Sequence, residues 1–94
     1  MARHPKGIDS GAYNRAIAAE VRAAMARERA QQKELADWFG WDRNYLGKRM
    51  LGQVPFGIPD LTKICDYLNV DMGDLLRRAR RTAEEQGEGH EAAG

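Results

Sequence analysis

The sequence predicts an all-α fold of five short helices, and three observations carry that prediction. Apolar residues recur at spacings of three and four through most of the chain, the period of a helix with one buried face. Ala, Glu and Arg, all strong helix formers, fill the positions between them. Gly, Asp and Pro fall between the periodic stretches, and no run shows the alternation of a strand.

The first helix spans about residues 12–29, where Ile17, Val21, Ala24 and Met25 share a face. The second covers Gln32 to Phe39, with Leu35, Ala36 and Phe39 apolar, and Gly40 stops it in a left-handed conformation. Asp42 stands where an N-cap belongs, its carboxylate placed to accept from the free N–H groups of the next turn. The third helix then runs over roughly residues 43–51, with Leu46 and Met50 apolar and Gly52 ending it. "QVPFGIP" is loop. Pro59 is tolerated in the first turn of the fourth helix, about residues 58–68, which buries Leu61, Ile64, Cys65 and Leu68. Asp71 and Asp74 open the fifth, with Met72, Leu75 and Leu76 apolar and Arg77, Arg78, Arg80 and Arg81 toward its end, where cations suit the helix dipole.

Ninety-four residues hold one small domain, so the chain divides into an arm (1–11), a helical domain (12–81) and a tail (82–94). The arm "MARHPKGIDSG" reads as flexible, and the tail "TAEEQGEGHEAAG", which has no large apolar residue, reads as disordered. The net charge of +1 averages two unlike regions. Residues 1–81 hold all 15 Lys and Arg against 10 acids, and the tail holds Glu84, Glu85, Glu88 and Glu91. A moderately basic body suits a polyanionic partner.

Other functional classes are disfavoured. No apolar run has the length of a membrane span or the form of a secretory signal, so a cytoplasmic protein without a membrane partner is expected. Cys65 is the single cysteine and reads as a small buried hydrophobe; His4 and His90 stand near opposite ends, so neither a metal site nor a cofactor is expected. With no Gly-rich phosphate loop between a strand and a helix, no nucleophile with a plausible base and no closely spaced carboxylate pair in an apolar setting, an enzyme with a small-molecule substrate is not expected either.

Two short helices joined by a tight turn, the second with polar side chains between its core positions, suit a helix-turn-helix that places one helix in the DNA major groove. The residues resemble the Cro/C1-type (XRE-like) helix-turn-helix family. That family's Gln, two polar residues and Leu-Ala read here as Gln32, Lys33, Glu34, Leu35 and Ala36. Its Gly, apolar residue and Ser-like cap read as Gly40, Trp41 and Asp42, followed by Leu46 and Gly52. "LTKICDYLNVDMGDLL" is similar to the family's fourth helix and the start of its fifth. The resemblance covers roughly residues 16–77 and implies a compact, lambda-repressor-like five-helix domain with helices 2 and 3 as the helix-turn-helix.

It also implies roles. Arg43, Asn44 and Lys48 match positions that commonly reach base edges, where Arg or Lys donates to guanine and Asn pairs with adenine. Gln32 matches a position that binds the DNA backbone, with Tyr45 and Arg49 as flanking phosphate candidates. Relatives often dimerise through helix 5 and the loop before helix 4, which makes Val54, Phe56, Met72 and Leu76 the apolar interface candidates. Arg3, His4 and Lys6 of the arm either add phosphate or minor-groove contacts or form a plain flexible start.

The chain departs from the family pattern where relatives often carry an Arg in helix 1 and an acid shortly before the glycine, two charges that pair in the interior. Here both positions are apolar, Met25 and Met50. Replacing both partners is neutral or stabilising, whereas losing one costs about 3–5 kcal/mol. A Met25–Met50 contact is therefore expected, the alternative being two independent core residues. Gly47 costs about 1 kcal/mol of helix propensity relative to Ala, and it serves either a close backbone approach or nothing.

These features predict a sequence-specific DNA-binding transcriptional regulator: a small repressor, phage-like or antitoxin-like, binding a palindromic operator on double-stranded DNA as a homodimer. The alternative is a protein-interaction module on the same scaffold, engaging a toxin or another regulator through Trp38, where the family usually has a polar residue, or through the acidic tail.

Overall fold

The computed structural model describes residues 10–93, with side chains through Gln86. Among the described residues there are helices α1 (Ser10–Glu28), α2 (Gln32–Phe39), α3 (Arg43–Met50), α4 (Ile58–Leu68) and α5 (Met72–Ala93), and no strand. None of these helices is long and apolar enough to cross a membrane.

Local chemistry sets most of the boundaries. α1 closes at Arg29, a left-handed residue at φ 56°, with the Ala30 N–H donating to the Met25 carbonyl at 2.9 Å. The Gln31 N–H donates to Glu34 Oε1 at 2.7 Å and so begins α2. Asn69, a residue type that tolerates the left-handed region, ends α4 at φ 57°, and Asp71 Oδ1 accepts from the Asp74 N–H at 2.8 Å to start α5.

One core joins all five helices. Val21, Met25, Leu35, Leu46, Met50, Leu61, Ile64, Cys65, Leu68 and Leu75 are buried in a single cluster. Met25 and Met50 are 5% and 0% exposed and belong to that same cluster, so both positions are apolar and interior, as expected. Burial also pushes the Cys65 thiol above its ordinary pKa, with smaller contributions from Asp66 and Asp71, which suits an unreactive hydrophobe.

α1 packs most extensively along α5, and the buried side chains of the pair include Ala12, Ala16, Ala79 and Ala83. This packing overturns the disordered tail expected from residue 82. α5 continues past residue 82, to Ala93, and in its described side chains Ala83 is still buried and Arg80 pairs with Glu84 one turn on, at 3.4 Å. Composition hid this: the apolar area needed here comes from alanines lying close to α1, and no large side chain is required. α1 likewise begins at Ser10, ahead of the predicted residue 12, and Ile17 is half-buried against the core.

Candidate nucleic-acid interface

The turn between α2 and α3 is built from three residues. Gly40 adopts φ 72°, a left-handed conformation natural to glycine, and the Trp41 N–H reaches back to the Ala36 carbonyl at 2.8 Å. Asp42 then caps α3, its Oδ1 accepting from the Asn44 N–H at 2.7 Å. Leu35 and Ala36 on α2 and Leu46 and Met50 on α3 face the core, which turns Arg43, Asn44 and Lys48 of α3 outward. The helix-turn-helix expected from the sequence is therefore present.

Arg43, Asn44 and Lys48 are all exposed. Arg43 and Gly47 are four residues apart, as are Asn44 and Lys48, so the two pairs form adjacent strips along α3. A Cβ added at Gly47 would meet nothing within 4 Å, so the protein's own packing does not call for a glycine there. Gln32, the first residue of α2, is exposed and borders a shallow hollow with Lys33, Ala36, Arg43 and Leu46. The N-terminus of α2 and the start of α3 thus open onto the same patch of surface.

Tyr45 and Arg49 differ from the other candidates, because the structure ties both into the protein. The Tyr45 hydroxyl donates to Asp60 Oδ2 on α4. The Arg49 guanidinium lies 3.6 Å over the Tyr45 ring, its Nη1 donates to the Tyr45 carbonyl at 2.8 Å, and its buried Nε has no partner. Both residues are half-buried. The hydrogen bond to Asp60, then desolvation and the Asp60 charge, raise the Tyr45 pKa above the ordinary 10, with Arg49 pulling it down by less.

This pair ends a chain of rings. Trp38 meets Tyr67 at 5.8 Å, Tyr67 meets Phe39 at 5.9 Å, Phe39 stacks on Trp41 at 4.7 Å, and Trp41 meets Tyr45 at 5.9 Å. Phe39 and Trp41 are half-buried, while Trp38 is 72% exposed. Tyr67, at the exposed end beside Trp38, was not picked out from the sequence. It lies off the Leu61, Ile64, Cys65 and Leu68 face of α4, and a lone exposed Tyr carries no periodic signal.

Of the dimer candidates, Val54 is half-buried, and Phe56, Met72 and Leu76 are half-buried against their own core. The more exposed apolar side chains near that loop are Leu51 and Ile58, at 63% and 60%. Leu51 is the residue that caps the end of α3, and Ile58 is the first residue of α4. Arg3, His4 and Lys6 lie outside the described residues.

No family model matches the chain, and no curated protein matches it. Among solved structures, two crystal structures of the clp gene regulator ClgR from Corynebacterium glutamicum are similar. One superposes with a TM-score of 0.76 and 21% identity, covering 95% of this chain and 90% of that chain. The other has a TM-score of 0.68 at 21% identity, covering 86% of this chain and 99% of that one. The likeness is one of fold: an all-α helix-turn-helix arrangement shared along nearly the whole chain.

Proposed function

We propose that this chain is a cytoplasmic, sequence-specific DNA-binding regulator of transcription of the Cro/C1 type, with α3 lying in the major groove. The observation that carries this reading is the exposure of Arg43, Asn44 and Lys48 on α3 around the half-buried Gly47, with Gln32 beside Arg43 at the start of α2. Arg43 and Lys48 are suited to guanine, Asn44 to adenine, and the Gln32 amide with the first N–H groups of α2 to a phosphate. The glycine between these side chains lets bases or sugar come close to the helix. That the neighbouring ClgR structures are those of a gene regulator agrees with this reading.

One such helix reads too few base pairs for tight selection, so we propose a palindromic operator occupied by two copies, acting as a small repressor. Selection of bound duplexes from a random pool at two salt concentrations tests this. The expected result is a palindromic site, a steep loss of binding with salt, and relaxed selection at one position in each half for Arg43→Ala. Absence of any enriched sequence overturns the reading. In that case Trp38, exposed beside Tyr67, favours the second reading, a module that binds a partner protein, for which Trp38→Ala would abolish capture of that partner.

A further inference from the structure

Three side chains, Tyr45 and Arg49 of α3 and Asp60 from the first turn of α4, meet between the two helices. The Tyr45 hydroxyl donates to Asp60 near the start of α4, and Arg49 covers the Tyr45 ring while holding the Tyr45 carbonyl through Nη1 at 2.8 Å. Trp41, in the turn, packs against the same ring at 5.9 Å. Tyr45 is thus held by its hydroxyl, its ring and its carbonyl, and each hold is intramolecular. An acid is also an unexpected neighbour for a phosphate contact, because Asp60 would repel the DNA backbone that Tyr45 was expected to meet.

We propose that Tyr45 and Asp60 are positioning residues: their hydrogen bond sets the angle of α3 against α4, and so the approach of Arg43, Asn44 and Lys48 to the bases, without either residue touching DNA. This inference rests on the DNA-binding reading and deepens it. A phosphate contact works equally on every sequence, whereas the orientation of α3 matters only where base edges are read. The clamp therefore contributes to discrimination and leaves general affinity alone.

The signs of two substitutions separate the cases. Asp60→Ala removes a negative charge from a DNA-binding domain, so electrostatics alone would tighten binding to every duplex. With the clamp, Asp60→Ala leaves random duplex bound as well as before or better and weakens the selected site about three- to tenfold, the worth of one hydrogen bond. Tyr45→Phe keeps the ring under Arg49 and loses the same discrimination. The double variant loses no more than either single one, because both remove the same bond.

The experiment measures binding of the full chain to its selected duplex and to a random duplex by fluorescence anisotropy. Wild type, Tyr45→Phe, Asp60→Ala, the double variant and Asp60→Asn, which keeps an acceptor, are compared after thermal melting shows each one folded. Expected are a reduced ratio of specific to random affinity in the first three variants, non-additivity, and partial recovery in Asp60→Asn. Equal losses on both duplexes, tighter binding of Asp60→Ala to both, or additive losses overturn the clamp while leaving the DNA-binding reading intact. A wild type that prefers no duplex overturns that reading and the clamp's role together.

Discussion

Arg22 of α1 donates through Nη1 to the carbonyl oxygen of Met50, the last residue of α3, and two residues on Asn14 donates through Nδ2 to the Gly52 carbonyl at 3.0 Å. Carbonyls at the end of a helix have no partner within it, and the end carries partial negative charge, so a cation reaching over from α1 meets both needs. The Cro/C1-type pattern that the sequence resembles often ties these helices with a buried ion pair. Here Met25 and Met50 occupy those positions, and a different arginine on α1 holds the backbone of α3 instead.

Arg22→Ala is expected to destabilise the fold by about 1 kcal/mol, since the guanidinium is exposed and water replaces part of its contact. In a domain of this size that corresponds to a fall in Tm of about 4–8 °C. An unchanged melting curve would show that the contact contributes nothing.

The apolar pair makes a sharper prediction. Met50→Glu puts a carboxylate into a fully buried position and should cost about 3–5 kcal/mol by urea unfolding. Adding Met25→Arg should restore most of the loss, because the two positions share one cluster. Additive losses in the double variant would mean that the two side chains do not meet.

Three glycines should respond differently to alanine. Gly40→Ala meets open space and suffers only the left-handed backbone, about 1 kcal/mol. Gly52→Ala, at φ 77°, also brings its Cβ to 3.2 Å from Arg15 Cγ and 3.3 Å from Arg15 Cα, and should cost more. Gly47→Ala should stabilise the helix by about 1 kcal/mol. If it also weakens binding to the selected duplex, the glycine is there for the DNA.

Tyr45 offers a spectroscopic test of its bond to Asp60. Its pKa is raised, chiefly by that hydrogen bond, so the stabilisation is complete below about pH 10 and is lost as pH rises through the folded-state value. Ultraviolet titration should show a tyrosine that ionises above the ordinary pH 10, and Asp60→Ala should remove the delay. Unchanged titration in Asp60→Ala would mean that the hydroxyl is held by something else.

The helix-turn-helix was legible because its signals are local. Gly40 in a left-handed turn and Asp42 as a cap each act within a few residues of chain, as does the spacing of Leu35, Leu46 and Met50. The outward position of Arg43, Asn44 and Lys48 follows from that spacing too. The helical course of residues 82–93 was not legible, because Glu-, Gly- and Ala-rich segments resemble disorder until the flank of α1 is there to bury Ala83. The exposed Trp38 and Tyr67 meet only because the fold brings the ends of α2 and α4 together.

The sequence by itself determined the extents of α2, α3 and α4 and which of their apolar side chains face the core, because capping, glycine conformation and apolar period operate over a single turn. Only the tertiary structure decided what the long polar side chains do. Tyr45 and Asp60 are 15 residues apart and Arg22 and Met50 are 28 apart. Whether such groups bond to one another or remain open to a partner depends on how the helices cross, which no local pattern encodes.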